Sequence, residues 1–164
     1  NREGKLINFY DKINLFDVTL SEKEIYMESN LYDSGKKICV YNLPWGKIGL
    51  TICYDLRFPL LYKKLSKKGS IFLSIPAAFT QTTGKAHWES LLRARAIENG
   101  CYVFAPAQCG KNTTKRRTFG NSMIIDPWGK ILVKAKNVPT VIFADIQVDL
   151  VKKVRAKMPS TLSF

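Results

Sequence analysis

With 164 residues, 26 basic against 13 acidic side chains and a formal charge of +13, the chain is one cationic domain long enough to bury a core. At 46% hydrophobic and 24% charged residues it is globular rather than disordered. Its longest apolar stretch, near Ser70–Phe79, falls far short of the ~18–20 residues of a membrane-spanning helix, and no collagen-like or internal repeat is visible.

The N-terminal Asn1–Phe9 segment reads as the turn and second strand of a hairpin. The first forty-five residues hold two strands at most, with a loop from Thr19 to Gly35. Lys47–Cys53 (KIGLTIC) is a short apolar run rich in β-branched residues, which predicts a buried strand. A helix follows, with Pro59 at its first position, Leu61 and Leu65 one turn apart, and Gly69 beyond its end. Ser70–Pro76 (SIFLSIP) is the next buried strand, so the three elements form a βαβ unit with a right-handed crossover. A Thr-rich loop, Thr80–Gly84, precedes a second helix whose apolar stripe is Trp88, Leu91, Leu92 and Ala96 and which Asn99-Gly100 ends. Cys101–Pro106 is a third buried strand, and Gln108–Thr118 a polar, basic loop. Asn121–Asp126 and Lys130–Ala135 flank a Pro-containing turn as a β-hairpin. Val141–Ile146 predicts a further strand, and Asp149–Lys157 a final helix. The sum is a layered α/β domain without an interdomain linker.

Cys39, Cys53, Cys101 and Cys109 contain no C-x-x-C pair, and His87 is the only histidine, so a zinc site of usual spacing cannot be assembled. Reduced, intracellular thiols are expected. The positive charge is scattered over Lys63, Lys64, Lys67 and Lys68 and over Lys115, Arg116 and Arg117, with no nucleic-acid-binding motif beside it. Solvated faces, or a mouth that attracts anionic small molecules, account for it better than a nucleic-acid partner.

Cys53 ends an apolar strand just before a helix start. There a thiol faces amide N–H groups and the positive end of a helix dipole, an arrangement that favours the thiolate. The Tyr54 amide stands next to it as an oxyanion donor, following the strand–nucleophile–helix logic of the serine-hydrolase elbow. A small buried hydrophobe is the competing reading of this cysteine, about equally weighted. Its base would be His87, a carboxylate or a lysine, and spacing alone does not choose. Glu89 and Arg93, four apart, read as a structural pair on the second helix.

Several segments together resemble the nitrilase, or carbon–nitrogen hydrolase, superfamily. Gly46–Pro59 is similar to its nucleophile segment, Tyr10–Asp17 to its lysine motif, and Met27–Asn30 to the segment with its second glutamate. Ala86–Asn99 and Phe119–Gly129 are further matches, all in the family's order across nearly the whole chain. The resemblance implies an αββα four-layer sandwich, here incomplete, with N-terminal strands and helices absent. Residues 1–164 would be the C-terminal three-fifths of one carbon–nitrogen hydrolase domain.

It also implies roles. Cys53 is the nucleophile, Lys12 and the Tyr54 amide hold the oxyanion, and Glu28 is an accessory carboxylate that positions Lys12. The general base is a further glutamate upstream of the lysine, in a segment this chain does not contain, so the chain alone is expected to be inactive. Ala107–Gly110 with Lys115 and Arg116 resembles the branch that hydrolyses deaminated glutathione to 2-oxoglutarate and cysteinylglycine through a Cys thioester. The alternatives are ω-amidases acting on 2-oxoglutaramate-like monoamides, or an inactive module kept for partner binding. For the small anionic amide substrate, Arg57, Lys115, Arg116 and Phe79 are the candidate contacts. Neither metal nor cofactor is implied. A homo-oligomer, dimer or tetramer, is expected, with no membrane or nucleic-acid partner and a cytoplasmic or mitochondrial location. Asn14 and Asn121 depart from the family pattern, standing where these relatives usually carry His, and an amide cannot titrate near neutrality.

Overall fold

The apolar runs of the middle of the chain pair with one another, and the rest is laid around them. The computed structural model describes residues 3–22, 24–111 and 117–159. A six-stranded sheet forms from β3 (Cys39–Leu43), β4 (Gly46–Leu50), β5 (Ser70–Ser74), β6 (Tyr102–Ala105), β9 (Met123–Ile125) and β10 (Ile131–Lys134). Its order is β10-β9-β6-β5-β4-β3, parallel across β4, β5 and β6 and antiparallel elsewhere. Two helices, α1 (Pro59–Lys67) and α2 (Gln81–Asn99), make the crossovers that parallel neighbours require.

Alternation along the strands separates two cores. Leu73 and Val103 point toward α1 and α2, into a cluster with Leu61, Leu65, Trp88, Leu92 and Ile125. Phe72, Tyr102 and Phe104 point the other way, where Val151 of α3 (Asp149–Lys157) covers them. The expected βαβ unit, the 121–135 hairpin and the final helix are therefore present. Gly100 ends α2 in the left-handed region (φ 53°), where its amide reaches back to the Ala96 and Ile97 carbonyls.

Five segments differ from expectation. The Thr80–Gly84 stretch is not a loop: Thr80 caps α2, its hydroxyl accepting the Thr83 amide at 3.2 Å, and the helix starts at Gln81. A hairpin of β1 (Asp17–Ser21) and β2 (Glu24–Met27) runs into the expected loop Thr19–Gly35 and, with β3, puts three strands in the first forty-five residues where two at most were expected. The Gln108–Thr118 loop contributes a second one, β7 (Cys109–Lys111) with β8 (Arg117–Phe119). Val141–Ile146 is extended, with exposure alternating residue by residue, yet joins no ladder among the described residues. Glu3–Phe9 likewise forms no strand. For Val141–Ile146 the pattern suits a strand, but among the described residues no neighbouring edge supplies ladder hydrogen bonds.

Candidate active site

β4 carries its alignment past its last ladder pair. The Thr51 amide donates to the Ser74 carbonyl at 3.1 Å, and the Thr51 hydroxyl bonds the buried Tyr62 hydroxyl at 2.9 Å. Two residues on, the chain turns sharply. Cys53 has φ 50°, one of two non-glycine residues with positive φ among those described. Such a conformation costs ~1–3 kcal/mol and persists only where the surroundings enforce it. Here the Cys53 amide donates to the Pro76 carbonyl at 2.8 Å, and a 3-10 turn, Cys53–Arg57, begins at once. The Asp55 amide closes that turn on the Ile52 carbonyl, whereas Tyr54 stands in the first turn, where an amide has no acceptor within the helix. The predicted elbow is thus present, in a more strained form than spacing alone suggests.

Lys12 enters from a loop before β1. Its ammonium pairs with Glu28 Oε2, and both side chains are largely shielded, at 11% and 25% exposure. Glu28 opens the 3-10 turn that follows β2, and the same oxygen accepts the Phe16 amide at 2.6 Å. Lys12 and Glu28 are therefore not a solvated surface pair. Both line, with Cys53, Tyr54, Arg57 and Phe79, an open cavity of about 930 Å³ at the carboxyl ends of the parallel strands. Among the described residues lining it, Glu28 is the only carboxylate.

The Arg57 guanidinium lies over the Phe79 ring at 5.3 Å and the Tyr54 ring at 5.8 Å, and its Nη1 donates to His87 Nδ1 at 3.2 Å. Partial burial pulls its pKa down from the usual guanidinium value, while Tyr54 and Cys53 pull the other way. His87 is exposed and accepts this bond from Arg57. Phe79 is buried and packs on Trp88 with ring centroids 4.8 Å apart. Lys115 and Arg116 lie outside the described residues. Glu89 and Arg93 do not pair with each other: Glu89 takes Lys134 at 2.9 Å, and Arg93 Nε donates to the Gly129 carbonyl at 2.9 Å.

Sequence reading missed Tyr26, Thr80, Thr83, Gln108 and Ser122 as lining residues. Tyr26 sits on the hairpin that was expected as loop. The others come from strand-to-helix and strand-to-turn junctions, where cavity-lining residues carry no periodic signal. The departures at 14 and 121 have local explanations. Asn14 binds Asp55 through its backbone and side-chain amides, and Asn121 adopts φ 61°, which asparagine tolerates well.

A family model described as carbon-nitrogen hydrolase matches residues 1–156. A deaminated glutathione amidase from Synechocystis sp. is 48% identical over 159 residues, which make up 96% of this chain and 58% of that protein. The Homo sapiens protein of the same name is 41% identical over 160 residues, covering 97% of this chain and 49% of that one. Among solved structures, the C. elegans NitFhit protein superposes with a TM-score of 0.86 at 44% identity, over 92% of this chain and 37% of that one. Saccharomyces cerevisiae Nit3, a member of branch 10 of the nitrilase superfamily, does so with a TM-score of 0.85 at 32% identity, over 97% and 55%. The chain spans about half the length of the curated relatives it matches.

Proposed function

The chain belongs to the carbon–nitrogen hydrolase family and has the α/β fold of the nitrilase superfamily, and from that premise we propose that it carries the nucleophile of an amidase. The observation behind this reading is the strained Cys53 elbow facing one cavity with the Lys12–Glu28 pair. Cys53 Sγ attacks the carbonyl carbon of a linear amide. The oxyanion that forms is stabilised by the Lys12 ammonium and the Tyr54 N–H. Glu28 keeps the ammonium oriented. The intermediate collapses with loss of the amine, a thioester remains on Cys53, and water releases the acid. Glu28 is committed to Lys12 and the Phe16 amide, so the proton moves of both steps need another base. In the whole protein the family resemblance assigns these to a further glutamate.

The substrate we infer is deaminated glutathione, cleaved to 2-oxoglutarate and cysteinylglycine. The named relatives support it, as does a cavity within the ~300–1,000 Å³ range of small-molecule sites. Arg57 at the mouth suits a substrate carboxylate. A homo-oligomer is proposed as well, since Leu60, Ile97 and Trp128 are exposed along the α1–α2 face.

Cys53→Ala in the whole protein is expected to abolish release of 2-oxoglutarate from deaminated glutathione, while its circular dichroism stays that of the parent. Turnover that survives the substitution overturns the reading. Faster turnover of 2-oxoglutaramate than of deaminated glutathione by the parent would move the substrate to the ω-amidase class.

A further inference from the structure

Asp55 is fully buried, and among the described residues it forms no ion pair. A lone interior carboxylate is costly unless hydrogen bonds replace its lost water. Four do. Oδ2 accepts the Tyr10 hydroxyl at 2.8 Å and the Ile52 amide at 2.9 Å, and Oδ1 accepts the Asn14 backbone and side-chain amides at 2.9 and 2.8 Å. One donor belongs to the elbow that carries Cys53. The other three come from Tyr10 and Asn14, the residues two before and two after Lys12. The Ile13 amide closes the same turn on the Tyr10 hydroxyl at 3.3 Å.

We propose that Asp55 is a positioning residue: its buried carboxylate clamps both ends of the Lys12 turn to the Cys53 elbow and so sets where the ammonium stands against the thiol. The inference rests on the reading of Cys53 as nucleophile and Lys12 as its cationic neighbour. Burial and the Asp55 carboxylate both raise the Tyr10 pKa, which keeps this phenol a donor at any physiological pH. At the other end of the turn Asn14 supplies amide donors that do not titrate. The Tyr62 hydroxyl, bonded to Thr51, also feels the Asp55 charge, and the Arg95 guanidinium lies over the Tyr62 ring.

The test reads alkylation of Cys53 by iodoacetamide against pH, resolved by peptide mass spectrometry. It needs no substrate, so its outcome is independent of whether the amidase reading stands. Asp55→Asn removes a negative charge near the thiol, which by itself would ease thiolate formation and move the midpoint of the pH–rate profile down. If Asp55 acts by holding Lys12 in place, the midpoint instead moves up, by about one pH unit, slowing alkylation about tenfold at pH 7. In a Lys12→Met background the same substitution is expected to give no upward movement. A midpoint that stays or falls in Asp55→Asn, or an upward shift that persists in full without Lys12, overturns the proposal. Should Asp55→Asn fail to fold, Tyr10→Phe and Asn14→Ala loosen one end of the turn each. Smaller upward shifts are then expected, and unchanged midpoints in the folded variants overturn the clamp.

Discussion

Cys53 follows a strand paired on both edges, with β3 on one side and β5 on the other, over a floor of buried Leu73, Ile75, Trp88 and Leu92. Lys12 sits in a turn preceded by exposed Leu6, Ile7 and Phe9 and followed by a two-stranded hairpin that joins no other sheet among the described residues. The first region draws its order from apolar burial at ~25 cal/mol per Å². The second is held mainly by directed polar bonds: to Asp55, between Lys12 and Glu28, and from the Gly35 amide to the Lys12 carbonyl at 2.8 Å. A reactive site can thus join a rigid nucleophile to an arm of much lower local stability, provided a few hydrogen bonds set their register.

Substitutions in the core should dissolve both regions together. Trp88 is fully buried, packs at a tilt against Phe79 and donates through Nε1 to the Asn121 carbonyl at 2.8 Å. Trp88→Ala is expected to cost about 3–5 kcal/mol in urea unfolding, a large part of a domain's whole stability. A loss under about 1 kcal/mol would mean that the core does not hold the elbow.

Alkaline pH loosens the same side of the molecule less. Burial, opposed by Arg155, pushes the Cys101 thiol from its ordinary 9.0 up to about 11. Between these values the unfolded chain releases a proton that the folded chain retains. Unfolding is therefore favoured as pH rises from about 9 to about 11, by at most on the order of 2–3 kcal/mol. Guanidinium midpoints taken from pH 8.5 upward should fall, and Cys101→Ala should flatten the first part of that fall. A parent midpoint independent of pH across this window would contradict the assignment.

The smallest effect on global stability, confined to the arm, is expected at Gly35. A Cβ there would lie 2.1 Å from the Asp11 carbonyl oxygen, so the backbone that meets the Lys12 turn has to move. Gly35→Ala should leave the core's unfolding free energy within about 0.5 kcal/mol while limited proteolysis between Tyr10 and Lys37 becomes several-fold faster. Equal loss in both assays would show that arm and core form one cooperative unit after all.

The same contrast separates what was legible beforehand from what was not. KIGLTIC and SIFLSIP are dense in β-branched and aliphatic residues, and Pro59, Gly69 and Gly100 punctuate the helices between the strands. The sheet's centre and its two helices could therefore be read almost directly. The β1–β2 hairpin was missed because its strands are short, half exposed and interleaved with Ser and Glu. Val141–Ile146 does alternate, but alternation states only that a segment has two faces; a ladder needs a second edge. The threonines at 80, 82 and 83 weaken the helical signal there, although the hydroxyl that makes threonine a poor helix former makes Thr80 a good cap.

Of the site, Cys53 was legible from its place at a strand end and Lys12 and Glu28 only through the family resemblance, and the structure gathers all three around one cavity. The role of Asp55 was invisible. Three of its four donors come from residues 45 and 41 positions away, and nothing in a linear reading distinguishes an aspartate that faces solvent from one that four donors enclose. The sequence by itself determined the periodicities, the punctuation and the inventory of reactive groups, because these depend on neighbours a few residues apart. Only the tertiary structure decided the strained backbone of Cys53, the shielding of the Lys12–Glu28 pair and the buried Asp55 clamp. Each of these depends on hydrogen-bond partners and exclusion of water that distant segments supply once the core has closed.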